Sequence, residues 1–226
     1  LIEEQGKALL PLEQLAAMHL DEEKGIVTVE DAWQGACDIV AENISDSAEV
    51  RKLLRKELWN TGELVSELII DEKEAPEFLQ YRDYSEPVRQ LPPHRILAMN
   101  RGEDKKALKI NLRCPDEKLI AKVAQMLNLK EQSPFYTYYH NALTDSYKRL
   151  LLPSLERELR NELTEKAEKQ AISVFAANLR QLLLTQPISG HTVLGLDPGY
   201  RTGCKTAVID PNGRILATTA IYITGS

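Results

Sequence analysis

Apolar residues recur at helical spacing through most of the first 185 positions of the chain. Ala32, Trp33, Ala36, Ile39, Val40 and Ile44 share one face of a helical repeat. Thr28-Val29-Glu30-Asp31 just ahead has the form of a capping box, with Thr28 as cap and Asp31 reaching back. Ser45 to Ser47 interrupt this pattern and cap a second helix. Its stripe is Val50, Leu53, Leu54 and Leu58, and Gly62 is its natural stop. The two together predict a helical hairpin. A shorter helical piece, Leu9 to Met18, precedes them.

Leu64 to Ile70 fits either a helical extension or a short strand. Phe78 to Tyr84 reads as helix, ended by Ser85-Glu86-Pro87. Pro92-Pro93 opens a helix through Met99 that should stop near Gly102. Ala107 to Leu112 alternates, which predicts a strand. Asp116 to Leu127 reads as a capped helix with Leu119, Ile120, Val123, Ala124 and Leu127 inward. Ser133-Pro134 caps the next one. Pro153-Ser154 then opens the longest element, with Ser154 as N-cap. It runs to about Thr185, because Pro187 forbids continuation. One stripe, Leu155, Leu159, Leu163 and Ala167, continues as Ile172, Phe175, Leu179 and Leu183. Glu156 with Arg160, Glu162 with Lys166, and Glu165 with Lys169 have the favourable order four residues apart, each worth about 0.2–0.5 kcal/mol. The span from Glu30 to Thr185 is therefore predicted to be dominated by helix, with at most two short strands.

The period then changes. Gln186 to Gly190 reads as a linker. The apolar run Val193 to Leu196 leads into Asp197, a Pro198-Gly199 turn follows, and Thr206 to Ile209 forms a second β-branched run. Asp210-Pro211-Asn212-Gly213 is turn chemistry, and Arg214 to Ile223 reads as a third strand. Two regions are expected, residues 1–190 and 191–226. A lone three-stranded meander is marginal, so its apolar face should pack on something. Burial of Val193, Val208 and Ile215 tests that expectation.

Composition narrows the function classes. A net charge of -6 and a pI near 5.4 exclude a chain that grips phosphate backbones with its whole surface. Cys37, Cys114 and Cys204 have no Cys-x-x-Cys spacing, so neither a zinc site nor a disulfide framework is indicated, and a reducing cytoplasm fits. There is no membrane-length apolar run and no signal-peptide pattern, so no membrane partner is expected. The chain opens at Leu1 without Met, which predicts a piece of a longer protein.

Asp197 is the sharpest candidate residue. A carboxylate at a strand exit beside a glycine turn can hold Mg2+ if one or two further acids join it. The plainer alternative is that it accepts backbone N–H groups of its own turn. Asp210 reads as a turn residue. Tyr200, Arg201 and Lys205 flank the Pro-Gly turn and are candidate nucleic-acid contacts; a solvated loop is the competing reading. Tyr136, Tyr138, Tyr139 and Tyr147 sit at helical spacing and read as core rather than as a base-stacking platform. His19, His94, His140 and His191 share no ligand spacing. No phosphate-binding glycine loop and no nucleophile elbow occurs.

The segment Leu196-Asp197-Pro198-Gly199-Tyr200-Arg201-Thr202-Gly203-Cys204-Lys205 resembles the opening of the YqgF-type, RNase H-like domain of the Tex family of bacterial transcription accessory proteins. Asp145 to Leu151, Pro153 to Glu158, Val174 to Arg180, Asp83 to Val88 and Pro93 to Glu103 resemble the same family. The resemblance implies a mainly α fold. A multi-helix scaffold with a long spine helix would be followed by the first three strands of an RNase H-like α/β domain. It also implies a cytoplasmic factor that associates with RNA or DNA and acts with the transcription machinery. Nucleic-acid binding in the family is credited largely to helix-hairpin-helix and S1 modules, which these residues do not carry. No cofactor is expected, apart from Mg2+ in an intact RNase H-like domain. The ending Ile223-Thr224-Gly225-Ser226 departs from the family, where a Pro-His segment is expected after the match to Tyr222. Two further classes stay open: a Mg2+-dependent nuclease or resolvase, and a purely structural helical platform for protein partners.

Overall fold

The computed structural model describes residues 1–226 except Leu9, Pro187, residues 200–202 and residues 223–226. It divides into two compact units, Leu1–Ile172 and Ser173–Ser226.

The first unit is helical around one small sheet. After α1 (Leu12–Ala17), the capping box forms as the sequence predicts. The Asp31 amide donates to Thr28 Oγ1 over 3.1 Å, and the Thr28 amide donates to Asp31 Oδ2 over 2.8 Å, starting α2 (Val29–Asp46). Ser47 Oγ accepts from the Val50 amide and starts α3 (Ala48–Thr61). α3 buries Val50, Leu54 and Leu58 almost completely, each worth about 1.5–3 kcal/mol of transfer free energy. Gly62 follows its last residue in an extended conformation, where a Cβ would lie 2.4 Å from the Leu58 carbonyl oxygen.

Leu64 to Ile70 resolves as strand. β1 (Glu63–Leu68) is the centre of a three-stranded antiparallel sheet, with β2 (Asp83–Pro87) on one side and β3 (Leu108–Arg113) on the other. Register places Leu64 opposite Leu112 and Ser66 opposite Ile110, so these side chains share the buried face. β2 differs from the expectation of helix through Tyr84 and of at most two strands before Thr185. The helical part is only a 3-10 segment, Pro76–Tyr81; Asp83 to Pro87 pairs instead with a strand some twenty residues earlier. Local pattern cannot report such a partner.

α4 (Pro93–Asp104) ends two residues past Gly102, near the stop that the sequence predicts. A Cβ on Gly102 would lie 2.5 Å from Leu108 Cδ1, so the glycine permits close packing of the helix against Leu108 at the start of β3. α5 (Asp116–Met126) buries Leu119, Ile120 and Val123. α6 (Tyr136–Asp145) packs on α2.

From α6 the chain runs without a break through a π-helical turn, Ser146–Leu151, into α7 (Leu152–Leu183). Pro153 and Ser154 therefore do not open the long helix. The Leu152 amide bonds to the Tyr147 carbonyl, a five-residue step. This wider turn makes room for the ring of Pro153, which has no N–H to offer. Ser154 Oγ caps nothing and instead accepts from Arg51 Nη2 at 2.9 Å. Leu155, Leu159, Leu163 and Ala167 are buried as expected, but Ile172, Phe175, Leu179 and Leu183 are exposed. The stripe keeps its period and loses its cover.

In the second unit, β4 (Val193–Gly199), β5 (Gly203–Ile209) and β6 (Ile215–Ile221) form the expected antiparallel meander. Val193 and Val208 are half-buried and Ile215 is 65% exposed. Leu194, Leu196, Leu216 and Ile221 are exposed too, so this unit taken by itself leaves its apolar face open. Three strands cover only their own centre, where Thr206 is the buried side chain. Among the described residues no helix is long and apolar enough to cross a membrane.

Candidate functional site

The two glycines that close the β4–β5 hairpin, Gly199 and Gly203, face each other in register. Gly203 has φ +78°, and a Cβ on it would lie 2.9 Å from the Tyr222 ring, so both backbone conformation and space require glycine there. Two residues back from the hairpin end, Asp197 of β4 stands directly opposite Lys205 of β5. Both are exposed and line a shallow cleft of about 600 Å3 together with Gly195, Ala207 and Thr218. Thr206 Oγ1 donates to the Thr219 carbonyl at 3.0 Å and fixes β5 to β6 beside it.

Asp197 thus lies inside β4, two residues before its end, because Pro198 and Gly199, expected as a turn, continue the strand and pair with Cys204 and Gly203. Lys205 lies beside Asp197. Tyr200 and Arg201, the other two candidates, lie outside the described residues. Among the described residues no hydrogen bond reaches the Asp197 carboxylate, and no group of three or more His, Cys, Asp or Glu is gathered that could hold a metal ion. The other acid of this unit, Asp210, is committed to its turn: Oδ1 accepts from the Asn212 and Arg214 amides at 2.9 and 2.8 Å. One carboxylate facing an ammonium is not the oxygen-rich donor set that Mg2+ requires, so the described residues do not fit that ion. What the hairpin end offers is one anion and one cation across a strand pair.

The helical unit carries polar arrangements that sequence reasoning missed. The Tyr147 hydroxyl donates to Asp116 Oδ1 at 2.7 Å, and the Cys114 sulfur lies 3.1 Å from the same oxygen. Burial pushes the Cys114 thiol up to about 11 and holds the Tyr147 phenol far above its ordinary range. Trp33 of α2 stacks on Tyr138 of α6 with ring centroids 4.2 Å apart. Tyr139 and Tyr147 are buried and Tyr136 and Tyr138 half-buried, in keeping with a core role for the cluster. Beside α4 and α7 a polar groove of about 670 Å3 mixes Arg101, Arg157 and Arg160 with Glu103, Asp104 and Glu156. Arg160 is paired there with Glu103 rather than with Glu156 on its own helix.

Comparison with known families fits this two-part arrangement. A family model described as Tex central region-like matches residues 8–175, and the Tex protein YqgF-like domain matches residues 191–226. The chain belongs to the Tex family. Among similar proteins, the uncharacterized protein YdcI of Bacillus subtilis (strain 168) is 42% identical over 209 residues, covering 92% of this chain and 29% of YdcI. The S1 RNA-binding domain-containing protein 1 of Homo sapiens is 36% identical over 213 residues, 88% of this chain and 21% of that protein. The transcriptional accessory protein Tex of Neisseria gonorrhoeae is 38% identical over 198 residues, 85% of this chain and 26% of that protein. This Tex-family chain spans less than a third of the length of these relatives.

Proposed function

We propose that the chain is the scaffold and the opening strands of the YqgF-like domain of a nucleic-acid-associated transcription accessory factor acting in the cytoplasm. The carrying observation is the pair of family matches over both units. The names of two relatives, one a transcriptional accessory protein and one an S1 RNA-binding domain-containing protein, supply the direction. With a net charge of -6, these 226 residues make only a weak, salt-sensitive contribution to nucleic-acid binding. Lys205, with Tyr200 and Arg201, is the place on the second unit for that contact. Asp197 works there without metal-dependent cleavage, because its cross-strand neighbour is a lysine and Asp210 holds a turn.

Titration of the chain with single-stranded RNA tests this reading. Dissociation constants of about 10⁻⁴–10⁻⁶ M that weaken steeply with salt are expected, with further loss in Lys205→Ala. Sub-micromolar affinity at near-physiological salt, or no binding at low salt, would sink it. Mg2+-dependent cleavage abolished by Asp197→Asn would move the assignment to a nuclease.

The platform reading is favoured by a separate observation. An open apolar groove of about 500 Å3 runs between α1 and α2, with Leu15, Ala32, Ala36 and the exposed Ile39 in its walls.

A further inference from the structure

A second groove, of about 550 Å3, lies where α1, α2 and α6 meet. The stacked Trp33 and Tyr138 form its aromatic wall. Four carboxylates line it: Glu13 from the first turn of α1, Glu30 from the first turn of α2, Asp38 one turn beyond Gln34, and Asp145 at the end of α6. Arg149 engages the last two, bonding Asp145 at 2.6 Å and lying 3.9 Å from Asp38. Glu13 and Glu30 are exposed and form no ion pair among the described residues. With four anions and one cation, the lining is net negative. The Tyr138 phenol registers this: it is pushed up first by burial, then by the charges of Cys37, Glu30 and Glu13.

Aromatic faces attract cations through their quadrupole, arginine most of all because its planar guanidinium also stacks. Carboxylates around such a face add directional acceptors that lysine and arginine satisfy. The same lining repels phosphates, so an RNA strand is the wrong occupant. We propose that this groove is a docking site for a basic peptide segment of a protein partner, with an arginine against Trp33 and Tyr138 and neighbouring cations on Glu13 and Glu30. Charge complementarity sets both partner class and orientation. The site lies wholly in the helical unit and does not depend on nucleic-acid binding at the hairpin.

The chain has two tryptophans, Trp33 and Trp59, so Trp59→Phe leaves Trp33 as the reporter. The probe is a capped nine-residue peptide carrying four arginines among glycine and serine, with a matched peptide carrying glutamine in their place. Saturable change in Trp33 fluorescence and saturable heat with the arginine peptide are expected, and neither with the glutamine peptide. Glu13→Lys with Glu30→Lys should weaken binding by about tenfold. Glu13→Gln with Glu30→Gln should give an intermediate loss at an unchanged melting temperature. No saturable signal, or the same isotherm in parent and charge variants, overturns the proposal. A ten-residue uridine oligonucleotide that displaces the peptide overturns it as well, and assigns the groove to RNA.

Discussion

The Tyr147 hydroxyl donates to Asp116 Oδ1 over 2.7 Å, tying the π-helical turn to the first turn of α5. Tyr147 is almost fully buried, so this bond fills the one polar need of a side chain that otherwise sits in the core. Tyr147→Phe should destabilise the chain by about 1–2 kcal/mol, since the Asp116 oxygen keeps only the weak Cys114 donor. Tyr147→Ala should cost about 3–5 kcal/mol by leaving a cavity. Urea unfolding separates the two. A phenylalanine variant as stable as the parent would show the bond to be energetically idle.

Two helical glycines should respond in opposite directions to alanine. At Gly102 the new Cβ meets Leu108 Cδ1 at 2.5 Å and Cγ at 2.7 Å, so overpacking should cost about 1–3 kcal/mol. At Gly35, in the middle of α2, nothing lies within 4 Å of the new atom. Alanine there should stabilise by about 0.5–1 kcal/mol through helix propensity and reduced unfolded-state entropy. Thermal unfolding of the pair checks the sign of each.

Cys114 should be a slow thiol. With its pKa near 11, about a thousandth of it is thiolate at pH 8, and only the thiolate reacts. Alkylation mapped by mass spectrometry should find Cys114 last in the native chain, with a rate that climbs about tenfold per pH unit up to pH 10. Rapid labelling at pH 8 without unfolding would contradict the burial that raises it.

Glu158 should shape the acid limb of the stability curve. Its carboxyl is held below the ordinary 4.5 by hydrogen bonds from Arg55 and then Arg51, which outweigh partial burial. A depressed folded-state pKa contributes stability above the unfolded value, and that contribution disappears as pH falls through the folded value. Glu158→Gln should therefore be less stable than the parent at pH 7, and the two should converge as the pH falls from the ordinary 4.5 through the lower folded value. Urea midpoints from pH 3 to pH 7 measure this; a constant gap would show that the ion pairs contribute nothing.

The elements that could be read from the residues are those whose decisive bonds close within a few positions. Thr28 and Asp31 cap each other, Ser47 caps α3, and Asp210 holds its own turn through amides two and four residues on. The meander was legible for the same reason: alternation and turn chemistry are local. Tertiary structure decided the rest. β2 is a strand because β1 offers it a partner, and Gly102 sits inside a helix because Leu108 approaches it. Glu156 reaches 44 residues back to the Leu112 amide, and Arg160 reaches 57 back to Glu103, although each has the other one turn away on α7. The acidic aromatic groove is assembled the same way, from the first turns of two helices and the far end of a third. A helix's own period says which residues share a face; only packing says what that face meets, because burial and charge pairing are set by groups distant in the chain.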